Sequence, residues 1–215
     1  REFEAVSVLQ LPTNVGKAEA VRRGMLLALE RGATVVGFVD ADLATPPAEI
    51  IRLVTSVDRH PEDLAVLGSR VLLLGHRIDR SVLRHYVGRV FATLAGSLLA
   101  VHAYDSQCGA KFFRDSPALR TTLDVPFRSR WGFDLELLGR LQGCGVGADR
   151  MREEPLNEWR DVSGSKVTAR SGLRTFWELL AIRRDLRQWA HEHGHRSEEH
   201  TSELQSHSFI SYAVF

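Results

Sequence analysis

The amino-acid sequence predicts an α/β fold in which a mostly parallel β-sheet is flanked by helices. Short apolar runs that suit buried strands alternate with segments of helical apolar spacing from residue 6 to residue 69. Strands that alternate with helices in this way usually pair in parallel. The composition agrees with one compact domain, since 44% of the 215 residues are hydrophobic and 26% are charged.

Two of the first elements have recognisable helix signals. Apolar spacing indicates a helix over residues 17–31, which Gly32 ends. Thr45 is predicted to cap a second helix that Pro46 and Pro47 begin. In order, the elements predicted up to residue 69 are a strand over 6–11, the helix over 17–31, a strand over 33–39, a helix over 46–56 and a strand over 64–69.

The pattern changes after residue 70. Residues 79–101 indicate one long helix with a wide apolar face and strongly basic first turns. The remaining predicted elements are a strand that ends at residue 114 after a loop from residue 105, a helix over 132–142, a strand over 151–161 and a basic amphipathic helix over 173–191.

Charge, cysteine content and hydropathy exclude several classes of function. A formal net charge of +1 gives no overall field that would attract nucleic acid. Cys108 and Cys144 lack the spacing of metal ligands and suggest no disulfide framework, which fits a reducing compartment. The longest charge-free apolar run, residues 90–101, is shorter than the ~20 residues of a membrane span, so we expect no transmembrane segment in this chain.

The end of the chain differs in character from the rest. Residues 196–207 resemble the translation of a common DNA sequencing adapter. We therefore expect the domain to comprise residues 1–195, and residues 196–215 to be a tail of non-native origin outside the fold. The alternative is a natural polar tail.

An apolar run stops on two carboxylates with one residue between them, in the sequence VVGFVDADLATPP of residues 35–47. Because an unpaired charge is disfavoured in a buried strand, Asp40 and Asp42 are predicted at the exposed end of that strand. Two carboxylates there can converge on one Mg²⁺ or Mn²⁺, which usually completes its coordination with substrate phosphates. The alternative is a solvated turn without a ligand.

A glycine and a lysine precede the first predicted helix. The helix N-terminus and Lys17 could both meet a phosphate. A P-loop is excluded, because Leu11 stands where its first glycine is needed and Ala18 replaces its hydroxyl residue. The alternative is an ordinary helix start with a solvated lysine.

Arginines are concentrated around the start of the long predicted helix. The spacing of Arg77, Arg80 and Arg84 puts them on one helix face, and Arg70 and Arg89 lie nearby in the sequence. Guanidinium groups suit phosphate oxygens, and the adjoining apolar face suits the chain of a lipid. The alternative is a solvated charged face.

Six sequence blocks, taken in order, resemble the family 2 glycosyltransferases. They are NVGKAEAVRRGM, VDADLATPP, GSR, DSQCGAKFFR, RWGFDLELL and EWRDVSGSKV. The resemblance covers residue 6 to about residue 187 and is closest to the dolichyl-phosphate β-glucosyltransferase type, with the related mannosyl and bacterial polyprenyl-phosphate enzymes next. It implies the Rossmann-like GT-A fold. It also implies an inverting transfer of a hexose, above all glucose, from a nucleotide diphosphate sugar to a polyprenyl or dolichyl phosphate.

The resemblance also implies roles for particular residues. Asp40 and Asp42 would bind the metal and the donor diphosphate. Arg70 and Arg84 would hold the acceptor phosphate. Asp105, together with Asp42 and Arg70, would take part in catalysis. The other residues expected to contact the donor are Lys17, Gln107, Trp131, Asp134 and Glu136, while Ser165 and Lys166 match a block near the site.

The partners follow from the same resemblance. UDP-glucose or GDP-mannose would be the donor, a polyprenyl phosphate would be the acceptor, and a membrane surface would be a third partner. We expect a peripheral location on the cytoplasmic face of a membrane and no nucleic-acid partner. Homo-oligomerisation is left open.

The sequence departs from the family pattern at the amino end. The family begins with a strand and a turn that grips the nucleotide base, and this sequence starts after them, so we expect the N-terminal strand to be missing from this chain. An inactive fragment that binds a lipid phosphate or a protein is therefore one alternative. Another is a haloacid-dehalogenase-like phosphatase, although Ala44 stands where that pattern needs Thr or Val.

Overall fold

The computed structural model describes residues 6–79, 82–99, 101, 103–130, 132–160, 169–193 and 212–214, without the side chains of 82–85, 87, 169–176 and 212–214. Its helices are α1 (Lys17–Glu30), α2 (Pro47–Arg59), α3 (Val82–Leu99), α4 (Pro117–Asp124), α5 (Phe133–Gly143) and α6 (Ala169–His193). Its strands are β1 (Val35–Val39), β2 (Ala65–Ser69), β3 (Arg77–Asp79), β4 (Ala110–Arg114), β5 (Met151–Pro155), β6 (Glu158–Arg160) and β7 (Tyr212–Val214), and a short 3₁₀ helix covers Ala148–Arg150.

A five-stranded sheet in the order β5-β2-β4-β1-β7 lies at the centre of the fold. β4 is antiparallel to both of its neighbours, β1 and β2. β2 pairs in parallel with β5, and β1 pairs in parallel with β7. All strands of this sheet except β4 therefore share one direction, which confirms the predicted mostly parallel α/β sheet. The sequence did not indicate that an antiparallel strand would separate β1 from β2.

The sheet buries an apolar layer on each of its faces. On one face, Val36 and Phe38 of β1 belong to a cluster with Met25 of α1. On the other face, Val35 clusters with Leu53 of α2. Alternate residues of β1 thus point to opposite sides, and both sides are covered. This double burial explains why the run before Asp40 is continuously apolar rather than alternating.

The early elements agree with the sequence prediction except at residues 6–16. α1, β1, α2 and β2 confirm the predicted helices and strands between residues 17 and 69. The strand predicted over 6–11 is wrong, because residues 6–16 are irregular and mostly exposed. Thr45 is buried but is not the cap of α2, since Pro46 occupies the N-cap position and no side chain caps this helix.

The elements after residue 70 differ more from the sequence prediction than the early ones do. The helix predicted from residue 79 begins at Val82, because Asp79 belongs to β3, which pairs in parallel with β6. The strand predicted over 151–161 is divided into β5 and β6, since the chain leaves β2 after Pro155 to pair with β3. α4 was not predicted, although Ser116 caps it by accepting the Leu119 N–H at 3.2 Å.

The last described residues lie in the sheet. Tyr212–Val214 pair in parallel with Val35–Gly37 of β1. The prediction put residues 196–215 outside the fold, whereas the structure places these three beside β1. The non-native origin of the segment stays a prediction. Among the helices that the structure describes, none is both long and apolar enough to cross a bilayer.

Candidate active site

Three segments of the chain meet at one edge of the sheet. β1 and β2 end at this edge, and the antiparallel β4 begins there. Asp40 follows β1, Arg70 follows β2, and residues 105–109 lead into β4. The Asp40 backbone N–H donates to the Gly109 carbonyl oxygen at 2.8 Å, which ties the first segment to the third. The antiparallel strand therefore brings Asp105 to the edge where Asp40 and Arg70 lie.

Asp40 lies against Gly109 and pairs with Lys17. A Cβ atom on residue 109 would lie 2.1 Å from Asp40 Oδ2, so only glycine leaves room for the carboxylate. Lys17, in the first turn of α1, donates from Nζ to Asp40 Oδ1. The same Nζ lies 5.6 Å from the ring centroid of Phe133. The predicted phosphate-binding lysine and the predicted metal-binding carboxylate are thus direct neighbours.

Asp42 is exposed in the turn that follows β1. Its Oδ1 accepts the Ala44 N–H at 3.0 Å. Leu43, between them, has a φ of 60°, in the left-handed region that non-glycine residues rarely adopt. Such backbone conformations cluster at active sites and ligand-binding turns, which supports a functional role for this one.

The carboxylates of Asp40 and Asp42 are a donor set that fits Mg²⁺ or Mn²⁺. Within the described part of the chain, Asp42 Oδ2 accepts no hydrogen bond. Asp40 is held by a lysine whose side chain is 47% exposed and can swing aside. Hard oxygen atoms of both residues are therefore available to a cation.

A second group of possible metal ligands lies at the other end of β2. Ligand atoms of His60, Glu62 and Asp63 lie within 4.8 Å of one another. Arg152 forms an ion pair with Asp63 and lies 3.7 Å from Glu62. Because this arginine already balances the acidic charge, we assign no metal to the group.

Arg70 and Asp105 form a two-pronged ion pair. Arg70 Nε and Nη2 donate to the two oxygens of Asp105 at 2.7 and 2.8 Å, and the Arg70 backbone N–H donates to the same carboxylate at 2.9 Å. The two side chains are only 15% and 9% exposed, and the guanidinium lies 5.2 Å from the ring centroid of Trp159. Arg70 Nη1 makes no hydrogen bond within the described residues, so it can donate to a ligand.

Burial and the neighbouring charge change the pKa values of Arg70 and Asp105 in opposite directions. Burial lowers the pKa of Arg70, but the hydrogen bonds and charge of Asp105 outweigh it, with a further contribution from Asp40, and the net pKa is raised. Burial raises the pKa of Asp105, but the hydrogen bonds and charge of Arg70 bring it below the ordinary value. Both groups are therefore charged at neutral pH, and Asp40 is close enough to Arg70 for their charges to interact.

Acidification is expected to weaken the domain through Asp105. Because the pKa of this carboxyl is lowered on folding, its contribution to stability is complete above the unfolded value of about 4 and is lost as the pH falls through the lower, folded value. Urea unfolding between about pH 3 and pH 6 should show a free energy of unfolding that falls more steeply with acid in the wild type than in Asp105→Asn. Equal slopes would contradict the lowered pKa.

The loop that carries Asp105 is fixed from β5. Glu153 accepts the backbone N–H groups of Tyr104 and Asp105 at 2.6 and 2.9 Å. Two positions further on, Gln107 Nε2 is buried and makes no hydrogen bond within the described residues. Buried polar atoms nearly always have partners, so this amide is a donor that a ligand could satisfy.

Two acidic residues predicted to contact the donor are bound to protein groups. Asp134 Oδ1 accepts from Lys111 Nζ at 2.6 Å. Glu136 accepts from Arg140 Nη2 at 2.5 Å and from the backbone N–H groups of Arg128 and Ser129 at 3.0–3.1 Å. Through these contacts, Asp134 and Glu136 hold α5 and the preceding loop in place. Direct contact of either residue with a donor stays a prediction.

Lys111 is a site-proximal residue that the sequence analysis missed. Its side chain is fully buried on β4, with Nζ 2.5 Å from the Cys108 carbonyl oxygen and 5.3 Å from the ring centroid of Phe38. A lysine inside the apolar strand AKFFR was the available signal, since such a charge needs a buried partner. Lys111 thereby connects Asp134 of α5 to the loop before β4.

Some predicted site residues cannot be placed. Trp131, Ser165 and Lys166 lie outside the described residues, and so does the side chain of Arg84. The predicted juxtaposition of Arg70 and Arg84 therefore stays a prediction.

A comparison with known proteins identifies the family of this chain. A family model described as "Glycosyl transferase family 2" matches residues 1–119. The chain belongs to glycosyl transferase family 2. This membership confirms the family that the six sequence blocks predicted.

Relatives of this family 2 chain have more specific names. A dolichyl-phosphate beta-glucosyltransferase of Drosophila melanogaster is 35% identical over 194 residues, which cover 85% of this chain and 53% of the relative. The protein of that name from Dictyostelium discoideum is 32% identical over 168 residues, covering 75% of this chain and 48% of the relative. The family 2 chain thus spans about half the length of these curated relatives. No solved structure matches it significantly.

Arg130 is a second residue near the candidate site that the sequence analysis did not assign. A Cβ atom on Gly16, whose φ is +84°, would lie 3.3 Å from Arg130 Nε. The exposed guanidinium therefore lies over the N-terminus of α1, one residue from Lys17. Both cations and the helix N-terminus favour an anion at this position.

Cys108 is not a nucleophile of the family 2 site. Burial is the main cause that raises the pKa of its thiol, to about 11. The thiol is protonated at neutral pH and behaves as a small buried residue.

Proposed function

We propose that this family 2 domain transfers glucose, with inversion, from a nucleotide diphosphate sugar to dolichyl phosphate or another polyprenyl phosphate. One observation carries the proposal: Asp40 follows β1, Arg70 follows β2 and Asp105 leads into β4, so that the carboxylate proposed to bind metal and the Arg70–Asp105 pair lie at the same edge of the sheet. The relatives named dolichyl-phosphate beta-glucosyltransferase support the choice of sugar and acceptor. The same family match argues against the phosphatase alternative.

The donor would bind on the β1 side of the site. Asp40 and Asp42 would hold Mg²⁺ or Mn²⁺, which supplies positive charge to the diphosphate as it departs. Lys17 and Arg130, beside the N-terminus of α1, would donate hydrogen bonds to the same diphosphate once Lys17 leaves Asp40. The free amide of Gln107 would donate to the sugar.

The acceptor would bind on the β2 side. Its phosphate oxygen would attack the anomeric carbon, and because a phosphate is already ionised near neutral pH, the reaction needs no strong general base. Bringing two anions to about 4 Å costs about 4 kcal/mol at an effective dielectric constant of ~20. Arg70 Nη1 would offset part of that repulsion, and Asp105 would hold the guanidinium in the required orientation.

The acceptor also sets the proposed location and partners. A polyprenyl phosphate is borne by a membrane, so the domain would act peripherally at a membrane surface, on the cytoplasmic face where nucleotide sugars are available. UDP-glucose is the proposed donor, with GDP-mannose as the competing one.

Product analysis tests the proposal. The chain, and a version extended toward the length of its relatives, would be incubated with Mg²⁺, a short-chain polyprenyl phosphate, and either UDP-glucose or GDP-mannose. We expect mass spectrometry to detect a glucosylated lipid phosphate that depends on UDP-glucose and disappears with EDTA. Product from GDP-mannose alone would overturn the choice of sugar, and no product from either protein with either donor would overturn the function.

A further inference from the structure

Three leucines are exposed in series next to the proposed site. Leu72, Leu73 and Leu74 are 65%, 45% and 103% exposed, in the loop of residues 71–76 that starts directly after Arg70. We call this segment the leucine loop. Exposing several large apolar side chains together is unfavourable in water, and a soluble surface rarely does so without a partner that covers them.

The leucine loop has a fixed base at both ends. At its start, Arg70 is held by the ion pair described above. At its end, the His76 N–H donates to the Leu73 carbonyl oxygen at 3.1 Å, and the Arg77 N–H donates to the Asn157 carbonyl oxygen at 2.7 Å. The tip therefore projects from an anchored frame, and its exposure belongs to the fold.

We infer that the leucine loop inserts into the hydrocarbon of a lipid bilayer and thereby holds Arg70 at the membrane surface. Leu74 is separated from Arg70 by at most about 14 Å of extended chain. Leucines at the outer edge of the hydrocarbon would thus leave Arg70 among the headgroups, where a lipid-borne phosphate lies. The inference rests on the proposed function for the membrane-borne nature of the acceptor.

The composition of the loop favours a bilayer over a protein partner. Its tip, VLLLG, is purely aliphatic, whereas cores of protein interfaces are enriched in aromatic residues, Met and Arg. Arg77 is exposed immediately beside the tip, and the sequence continues into Arg80 and Arg84. Cations that flank an apolar insertion suit the anionic headgroups of a membrane.

Vesicle flotation tests the inference. The wild type, the double variant Leu72→Asp/Leu74→Asp and the control Ile51→Asp would be floated with phosphatidylcholine vesicles that contain phosphatidylserine. Ile51 is 67% exposed on α2, outside the leucine loop, and so controls for the loss of one exposed apolar residue. We expect the double variant to bind at least tenfold more weakly than the wild type and Ile51→Asp to bind as the wild type does.

Activity separates this inference from the proposed function. The activity of the double variant on a vesicle-embedded polyprenyl phosphate should be at least tenfold lower than that of the wild type. Its activity on a water-soluble, short-chain prenyl phosphate should equal that of the wild type. Equal flotation of wild type and double variant would overturn the inference. So would a wild-type dimer that becomes monomeric in the double variant, because the leucines would then cover a second copy. A leucine-dependent flotation without activity on either acceptor would overturn the proposed function and leave the inference standing.

Discussion

Replacing Arg70 by alanine is expected to destabilise the domain by about 3–5 kcal/mol, because it leaves the buried carboxylate of Asp105 without its partner. Arg120 offers a matched control. It binds Asp115 with the same two-pronged geometry, at 2.8 and 2.8 Å, but its side chain is 51% exposed. Arg120→Ala should change the free energy of unfolding by no more than about 1 kcal/mol, as urea titration would show.

A variant in which both members of the Arg70–Asp105 ion pair are apolar separates the effect on stability from the effect on acceptor binding. Arg70→Met combined with Asp105→Leu removes both charges and leaves no buried carboxylate unpaired, so we expect it to recover part of the stability that Arg70→Ala loses. Transfer to a polyprenyl phosphate should nevertheless remain abolished, because no guanidinium meets the acceptor. Wild-type transfer rates in this double variant would contradict the role of Arg70 in the site.

Replacing Asp42 by asparagine is expected to abolish metal-dependent donor binding while leaving the fold intact. The amide oxygen can still accept the Ala44 N–H, so the turn is preserved and only the charge is lost. Loss of a metal ligand should weaken binding by at least the roughly 10–100-fold that removal of outer-shell partners costs. Calorimetric titration of UDP-glucose with and without Mn²⁺ measures this effect.

Asp124 provides the control for that variant. It is an exposed carboxylate at the last residue of α4, a helix that contributes no residue to the proposed site. Asp124→Asn should bind UDP-glucose in the presence of Mn²⁺ as tightly as the wild type does. A similar loss in both variants would indicate that net charge, and not a ligand at residue 42, controls donor binding.

The sequence was sufficient to place Asp40 and Asp42, because a continuously apolar strand that ends on charges can end only at a sheet edge. It could not place β4 between β1 and β2. Both directions of this strand are compatible with the apolar run AKFFR, and only long-range pairing with Val35–Val39 decides between them. The position of Asp105 beside Arg70 depends on that pairing, and so the structure was needed to bring them together.

Buried ion pairs surround two predicted site residues, Asp134 and Glu136. Asp134 and Glu136 follow Trp131 in a block that resembles a donor pocket, yet each is bound by a cation of the protein, Lys111 or Arg140. These partners lie 23 residues before Asp134 and four residues after Glu136. The first pairing depends on tertiary contacts that spacing cannot reveal, whereas the second has the i, i+4 spacing of a helix and was open to prediction.

The most direct test of the proposed site combines calorimetry of donor binding with an assay of transfer to the acceptor. UDP-glucose would be titrated with Mn²⁺ into the wild type, Asp42→Asn, and Arg70→Met/Asp105→Leu, and each protein would be assayed for transfer to a polyprenyl phosphate. We predict that the Arg70 double variant keeps Mn²⁺-dependent donor binding, that Asp42→Asn loses it, and that neither transfers glucose. Mn²⁺-dependent binding of undiminished affinity in Asp42→Asn would contradict the account.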